Sequence, residues 1–162
     1  MNPFTSFSPV VGKARIEINR PIDQVFAFVG VAFFDNYPKW AVEVSDFKPL
    51  NGTKACVGAK AKQVREEHGQ TVESTFEISE FDPPKKMALV GVDAHFRNSY
   101  HFVANGNNES TELEFCFELL ELELFMRPFQ KLIRMAIEEG AENTVENIKN
   151  LLNQQMACLS PS

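Results

Sequence analysis

The stretch "HFRNSYHFVANGNNESTELEFCFEL", residues 95–119, decides how this chain folds. Two alternating runs flank a centre rich in Asn and Gly, which is the pattern of a β-hairpin. A turn at Asn107-Asn108 pairs Phe102 with Leu113, Tyr100 with Phe115, Asn98 with Phe117 and Phe96 with Leu119. Every apolar residue of the second run then shares a face with the row Phe96, Asn98, Tyr100, Phe102. Glu112, Glu114 and Glu118 fall on the other face with Arg97 and His101. A one-residue slip would turn the glutamates inward, so alternation sets the register. Asn98 and Tyr100 are therefore expected to point inward, among phenylalanines.

A second hairpin is read around His68-Gly69. It sets Val72, Ser74, Phe76 and Ile78 opposite Arg65, Gln63, Ala61 and Ala59, although Lys60, Lys62 and Val64 offer a mixed alternative. On the first register the inward face gathers Gln63, Arg65, Ser74, Asn98 and Tyr100. A buried polar group without a partner costs about 1–3 kcal/mol. Either these groups satisfy one another, or they line a cavity whose occupant partners them. Ligand sites are mostly apolar with a few placed polar groups, which favours the cavity.

Working outward, "KARIEINR" (13–20) alternates as a half-buried strand, and residues 1–11 read as a loose lead-in. In "RPIDQVFAFV", Pro21 suits a helix start, and Ile22, Val25, Phe26 and Val29 recur at helical spacing, with Gly30 as the expected end. "VAFFDNYPKW" (31–40) reads as a second short helix or turn closed by Pro38. Runs of strand character follow from residue 42. Residues 128–156 form one long amphipathic helix with a stripe from Phe129 through Ile133, Ile137 and Ile148 to Leu152. The order predicts a single α+β domain over 1–162: a curved antiparallel sheet of six or seven strands and one long helix.

Composition narrows the partners. The 162 residues are 44% apolar and 23% charged, with fifteen Phe, and the formal charge is −6. An acidic chain is a poor match for nucleic acid or for an anionic lipid surface. The N-terminus lacks the basic region of a secretory signal, and no run nears the roughly 20 apolar residues of a membrane span. Cys56, Cys116 and Cys158 are far apart and form no C-x-x-C pair, as expected of free thiols in the cytoplasm. A homodimer is compatible with the sequence.

The strand "ARIEINRP", the helix "IDQVFAFV", the following "NYPKW" and the C-terminal "ENTVENIKNLL" resemble the START-like (SRPBCC, helix-grip) superfamily. The resemblance is to its polyketide cyclase/dehydrase and lipid-transport branch. It runs from about Lys13 to Gln155 and includes the helix-entry Pro21, Trp40 and Gly58. It implies a curved sheet gripping the long helix, with a cavity between them. It implies Trp40 near the cavity mouth. It would also explain Gly140, a mid-helix glycine that costs about 1 kcal/mol against alanine. Close packing of the helix on a strand would explain it equally.

Catalytic motifs are scarce. His95 and His101 are about 19 Å apart on one outward face by strand rise, so they cannot share a metal ion. No zinc spacing, nucleophile elbow or phosphate loop occurs, and neither a metal nor a cofactor is expected. Glu118, Glu121 and Glu123 read as a solvated edge. The expected ligand contacts are Trp40, Gln63, Arg65, Ser74, Phe76, Asn98, Tyr100 and Phe115. Arg65 could pair with an anionic ligand group or reach past the rim to a surface glutamate. The expected function is binding or transport of a hydrophobic small molecule: a lipid, a polyketide-like aromatic or an isoprenoid. The alternative is a metal-free cyclase or dehydratase, weakened by the lack of an inward general base.

Overall fold

Both hairpins form in the register that side-chain alternation predicts. The computed structural model describes residues 9–67 and 69–159. Phe96, Asn98, Tyr100 and Phe102 pair with Leu119, Phe117, Phe115 and Leu113. Ala61, Gln63 and Arg65 pair with Phe76, Ser74 and Val72. Residue 68, half of the second expected turn, lies outside the described residues, and Gly69 takes a left-handed φ of 77°.

The strands are β1 (Val10–Ile18), β2 (Val44–Pro49), β3 (Lys60–Glu67), β4 (Gln70–Asp82), β5 (Lys86–Gly91), β6 (Phe96–Asn105) and β7 (Ser110–Leu119). They form one seven-stranded sheet in the order β1-β7-β6-β5-β4-β3-β2. All pairings are antiparallel. The chain leaves one edge at β1, crosses by helices α1 (Ile22–Phe26) and α2 (Phe33–Trp40), and enters the opposite edge at β2. It then meanders back to β1. A 3-10 turn (Leu124–Phe129) leads into the long helix α3 (Gln130–Leu159), which rests on β1 and β7 and touches α2. This is the expected α+β helix-grip architecture.

Several boundaries differ from the sequence reading, beginning with the long helix expected over 128–156: Pro128 and Phe129 lie in the 3-10 turn, and α3 starts at Gln130. The first strand begins at Val10, fully buried and paired with Leu119, so it takes up the end of the expected lead-in; residues 1–8 lie outside the described residues. Gly30 does not end a helix. It lies inside a π-helical turn, Ala27–Val31, that prolongs α1, and a Cβ there would sit 2.7 Å from the Phe26 ring. Pro38 lies within α2, which runs on to Trp40. The 3.6-residue pattern reports which side is buried, not how the last turn closes.

The inner face of the sheet, α1, α2 and the second half of α3 enclose the core. Phe26, Phe33, Tyr37, Trp40, Phe76, Tyr100, Ile148 and Leu152 are buried there. Arg20 joins its ends: Nη2 donates to the Leu152 carbonyl at 2.7 Å, and the Arg20 carbonyl accepts from Thr111 Oγ1 at 2.8 Å. The outer face carries the predicted charges, including Arg97 paired with Glu118 at 2.8 Å. Cys116, on the outer face by strand alternation, is buried beneath its long-chained neighbours, with Lys13, Arg97, Glu114 and Glu118 around it.

Candidate functional site

Between α2, the inner ends of β3, β6 and β7, and the first half of α3 the packing opens. A pocket of about 610 Å³ lies there. Its sheet wall is Asn98, Tyr100, Phe115, Phe117 and Leu119; its helical wall is Ile133, Ala136, Ile137, Gly140, Ala141 and Thr144. Tyr37, Trp40, Val42, Glu43 and Arg65 close the third side. The wall is apolar in the middle and charged at one rim, where Glu66 and Glu67 also stand.

Alternation brings the β6 and β7 side chains here, because residues two apart share a face of a strand. Helix α3 contributes through Ile133, Ile137 and Ala141, spaced one turn apart, and through the row Ala136 and Gly140. A Cβ on Gly140 would meet nothing within 4 Å. The glycine therefore leaves space in the pocket wall, and close packing of the helix does not explain it. The tight contact lies at Gly12 of β1 instead, where a Cβ would come within 2.5 Å of Ile137 Cγ2.

The inward polar residues divide into two groups. One is a connected network. The Tyr37 hydroxyl donates to Gln63 Oε1 at 2.7 Å and accepts from Arg65 Nη1 at 3.3 Å. Gln63 Nε2 donates to Ser74 Oγ at 3.3 Å. Arg65 Nε donates to Glu67 Oε1 at 2.8 Å, and its Nη2 is paired with Glu43. Gln63 and Ser74 thus lie behind Tyr37 in the closed core, as does Phe76, which stacks on Phe47 and meets Tyr37 and Phe33 edge-on. These three belong to the interior and not to the pocket wall. Arg65 is on the wall but carries two glutamate partners and the tyrosine. That is the reading in which it reaches surface carboxylates.

The second group has no partners. Trp40 is 2% exposed and Asn98 is 7% exposed. Neither the Trp40 Nε1–H nor Asn98 Oδ1 has a hydrogen-bond partner. Both residues line the pocket, beside Tyr100 and Phe115. Trp40 stands in the wall, with Phe28, Phe33, Tyr37 and Tyr100 packed around it, whereas Val42 occupies the exposed rim. Its carbonyl accepts from Asn147 Nδ2 at 3.0 Å, which ties α2 to α3.

Of the eight expected contacts, Trp40, Arg65, Asn98, Tyr100 and Phe115 share the pocket. Sequence reasoning did not include Tyr37 and Glu43. Tyr37 sits on a short helix where period-2 alternation does not apply, and Glu43 on the turn after it. The only signal for Tyr37 was the helical spacing of Phe33, Phe34, Tyr37 and Trp40. Among the described residues no three His, Cys, Asp or Glu side chains converge as a metal ion would require.

Burial pushes the Tyr37 phenol up to about 12, with nearby Glu43 adding to the rise and Arg65 opposing it. Burial pushes Tyr100 higher still. The Trp40 indole opposes that rise slightly, although its N–H reaches no acceptor in hydrogen-bond geometry. Both tyrosines are neutral donors at pH 7. The chain has only these two. Their folded pKa values lie above the unfolded value near 10, so the unfolded state loses protons first as pH rises. Stability is then full below about pH 10 and falls between pH 10 and the folded values by about 1.4 kcal/mol per pH unit for each tyrosine. A spectrophotometric titration is expected to show no tyrosinate absorbance until unfolding begins. Half-ionisation near pH 10 in a folded protein would contradict this burial.

A curved antiparallel sheet wrapped on a C-terminal helix, with an apolar pocket between them, defines a helix-grip protein of the START-like class. The sequence matches the family described as "Polyketide cyclase / dehydrase and lipid transport" over residues 10–153, and the chain belongs to that family. None of the curated proteins matches it significantly. Solved structures share the fold at low identity. The Zhui aromatase/cyclase from Streptomyces superposes with a TM-score of 0.76 at 9% identity, covering 92% of this chain and 96% of that one. A START superfamily protein from Mycobacterium smegmatis gives 0.68 at 15% identity, covering 91% and 99%. Truncated norcoclaurine synthase from Thalictrum flavum gives 0.68 at 14%, covering 92% and 98%. No helix among the described residues is long and apolar enough to cross a membrane.

Proposed function

We propose that this protein binds a hydrophobic small molecule, lipid-, polyketide- or isoprenoid-like, in the pocket between α3 and the sheet. One observation carries the reading: a pocket of about 610 Å³ whose wall holds a buried indole N–H and a buried amide oxygen, both unpartnered. Such groups cost stability unless an occupant satisfies them. The ligand this favours has an apolar body for Phe115, Phe117 and Ile133, an acceptor for Trp40 and a donor for Asn98. Arg65, already paired with Glu43 and Glu67, favours a neutral group over an acid at its end of the pocket.

The test is titration with phenylnaphthylamine, a neutral apolar probe carrying one N–H. Saturable uptake of one probe per chain is expected. Asn98→Leu removes an orphaned oxygen, so the ligand-free protein gains about 1 kcal/mol, or about 2–4 °C in melting temperature. Probe affinity falls up to about tenfold because the N–H loses its acceptor. No saturable uptake by the wild-type protein would sink the reading. A lower melting temperature with unchanged affinity would assign Asn98 to the structural network instead.

A second reading is a cyclase- or dehydratase-type enzyme. It is favoured by the presence of Tyr100, Arg65 and Glu43 around one pocket, Tyr100 on the sheet wall and the other two on the third side, which adds a carboxylate that strand alternation could not reveal.

A further inference from the structure

The chain carries a net charge of −6, yet from Leu124 to Ile137 it has three basic residues and no acidic one. The same stretch holds most of the exposed bulky side chains near the pocket. Leu124 is 75% exposed, Phe125 69%, Leu132 64%, Met135 55% and Phe129 51%. Together these five leave on the order of 500 Å² of apolar side chain in water, at the upper end of what a monomer shows. They are not scattered. The 3-10 turn Leu124–Phe129 leads directly into α3, and Leu132 and Met135 continue from Phe129 at three-residue spacing along the helix. Arg127, Lys131 and Arg134 stand at i, i+4 and i+7, flanking that stripe. Lys131 and Arg134 make no ion pair with any described residue.

We infer that the turn Leu124–Phe129 and the first turns of α3 are a docking surface for an anionic lipid bilayer. Two features select a bilayer. The apolar side chains are more than half exposed on a turn and on the first turns of a helix, which suits insertion between headgroups. Lys131 and Arg134 beside them match an anionic surface, each worth about fivefold in partitioning. A second copy meeting this patch about a two-fold axis would set Arg127, Lys131 and Arg134 against themselves. Net charge alone pointed away from lipid, but a surface some 10 Å away by Debye screening senses the local charge. Glu121 and Glu123 lie just before the turn, Glu138 and Glu139 bound the basic stretch on α3, and the rim glutamates Glu43, Glu66 and Glu67 belong to another side of the pocket, so the bases form a local cluster between acidic flanks. Leu132, Ala136 and Gly140 form one row along the helix, and the last two line the pocket. Docking therefore brings the helical wall of the pocket next to the membrane. It would hold whether or not the pocket binds the ligand class proposed above.

Co-sedimentation with vesicles tests it. The full-length protein is expected to pellet with an equal mixture of phosphatidylcholine and phosphatidylserine, and at least tenfold less with phosphatidylcholine alone. Raising salt from about 0.1 M to about 1 M, which shortens the Debye length from about 10 Å to about 3 Å, should release it several-fold. Phe125→Ser with Leu132→Ser, and separately Lys131→Glu with Arg134→Glu, should each reduce pelleting more than tenfold. Because these side chains are exposed, melting temperature and phenylnaphthylamine uptake in vesicle-free buffer should not change. Failure to pellet with anionic vesicles overturns the inference, as does equal pelleting of wild type and variants. A dimer seen by light scattering that Leu132→Ser dissolves would also overturn it, by showing that a second copy covers the patch. Loss of probe uptake in the wild-type protein would count against the pocket reading alone.

Discussion

Gly140→Leu is expected to raise the melting temperature and to abolish probe binding in the same molecule. Removing a mid-helix glycine gains about 1 kcal/mol of backbone entropy and helix propensity, or about 2–4 °C. Ordinarily a leucine facing a protein interior would clash and reverse the gain. Here the added Cβ meets nothing within 4 Å, and the Gly140 carbonyl keeps its bond from Thr144 Oγ1 at 2.8 Å. Gly140 is an exposed member of the pocket lining, so a leucine there is expected to extend over the pocket that Phe115 and Tyr100 also line. Probe affinity is expected to drop more than about tenfold. Gly140→Ala should show the gain in stability with little loss of binding. Differential scanning fluorimetry and fluorescence titration read the two effects. A fall in melting temperature would show that the space is not free. Unchanged probe affinity would place the ligand elsewhere.

Gly12→Ala should do the opposite, although it is the smaller change. In a strand, alanine is normally better than glycine by about 0.5–1 kcal/mol. At Gly12 the new Cβ would lie 2.5 Å from Ile137 Cγ2 and 2.8 Å from both Glu138 N and the Ile137 carbonyl carbon. Two of these are backbone atoms of α3, which cannot swing away as a side-chain tip can. The helix must lift off β1 along the contact that anchors it to the sheet. A loss of about 3 kcal/mol is expected, about 6–12 °C in melting temperature. A melting temperature equal to or above wild type would mean that α3 does not seat on β1 this closely. The two glycines thus separate roles that a sequence shows only as missing side chains.

How much was legible depended on the period of each element. Strand alternation placed Asn98, Tyr100 and Phe115 on one inner face, and the turn residues set both hairpin registers. The same argument placed Gln63, Ser74 and Phe76 inward, which is where they lie, but inward is not the same as on the pocket wall. Whether an inward group meets a neighbour or an empty space depends on what packs over it from another element. Tyr37, carried by α2, lies over Gln63 and joins it to Arg65. Asn98 Oδ1 receives no such bond.

From residue pattern alone one could derive a meander of six or seven strands, its facing, the long helix and the α+β class, because pleat and helix periods are local properties of the chain. Tertiary structure decided which polar side chains were satisfied and which were left without a partner, and which glycine made room and which made contact. Those outcomes turn on distances of a few ångströms between segments as far apart in sequence as Gly12 and Ile137, and nothing in the local periods of either segment sets such a distance.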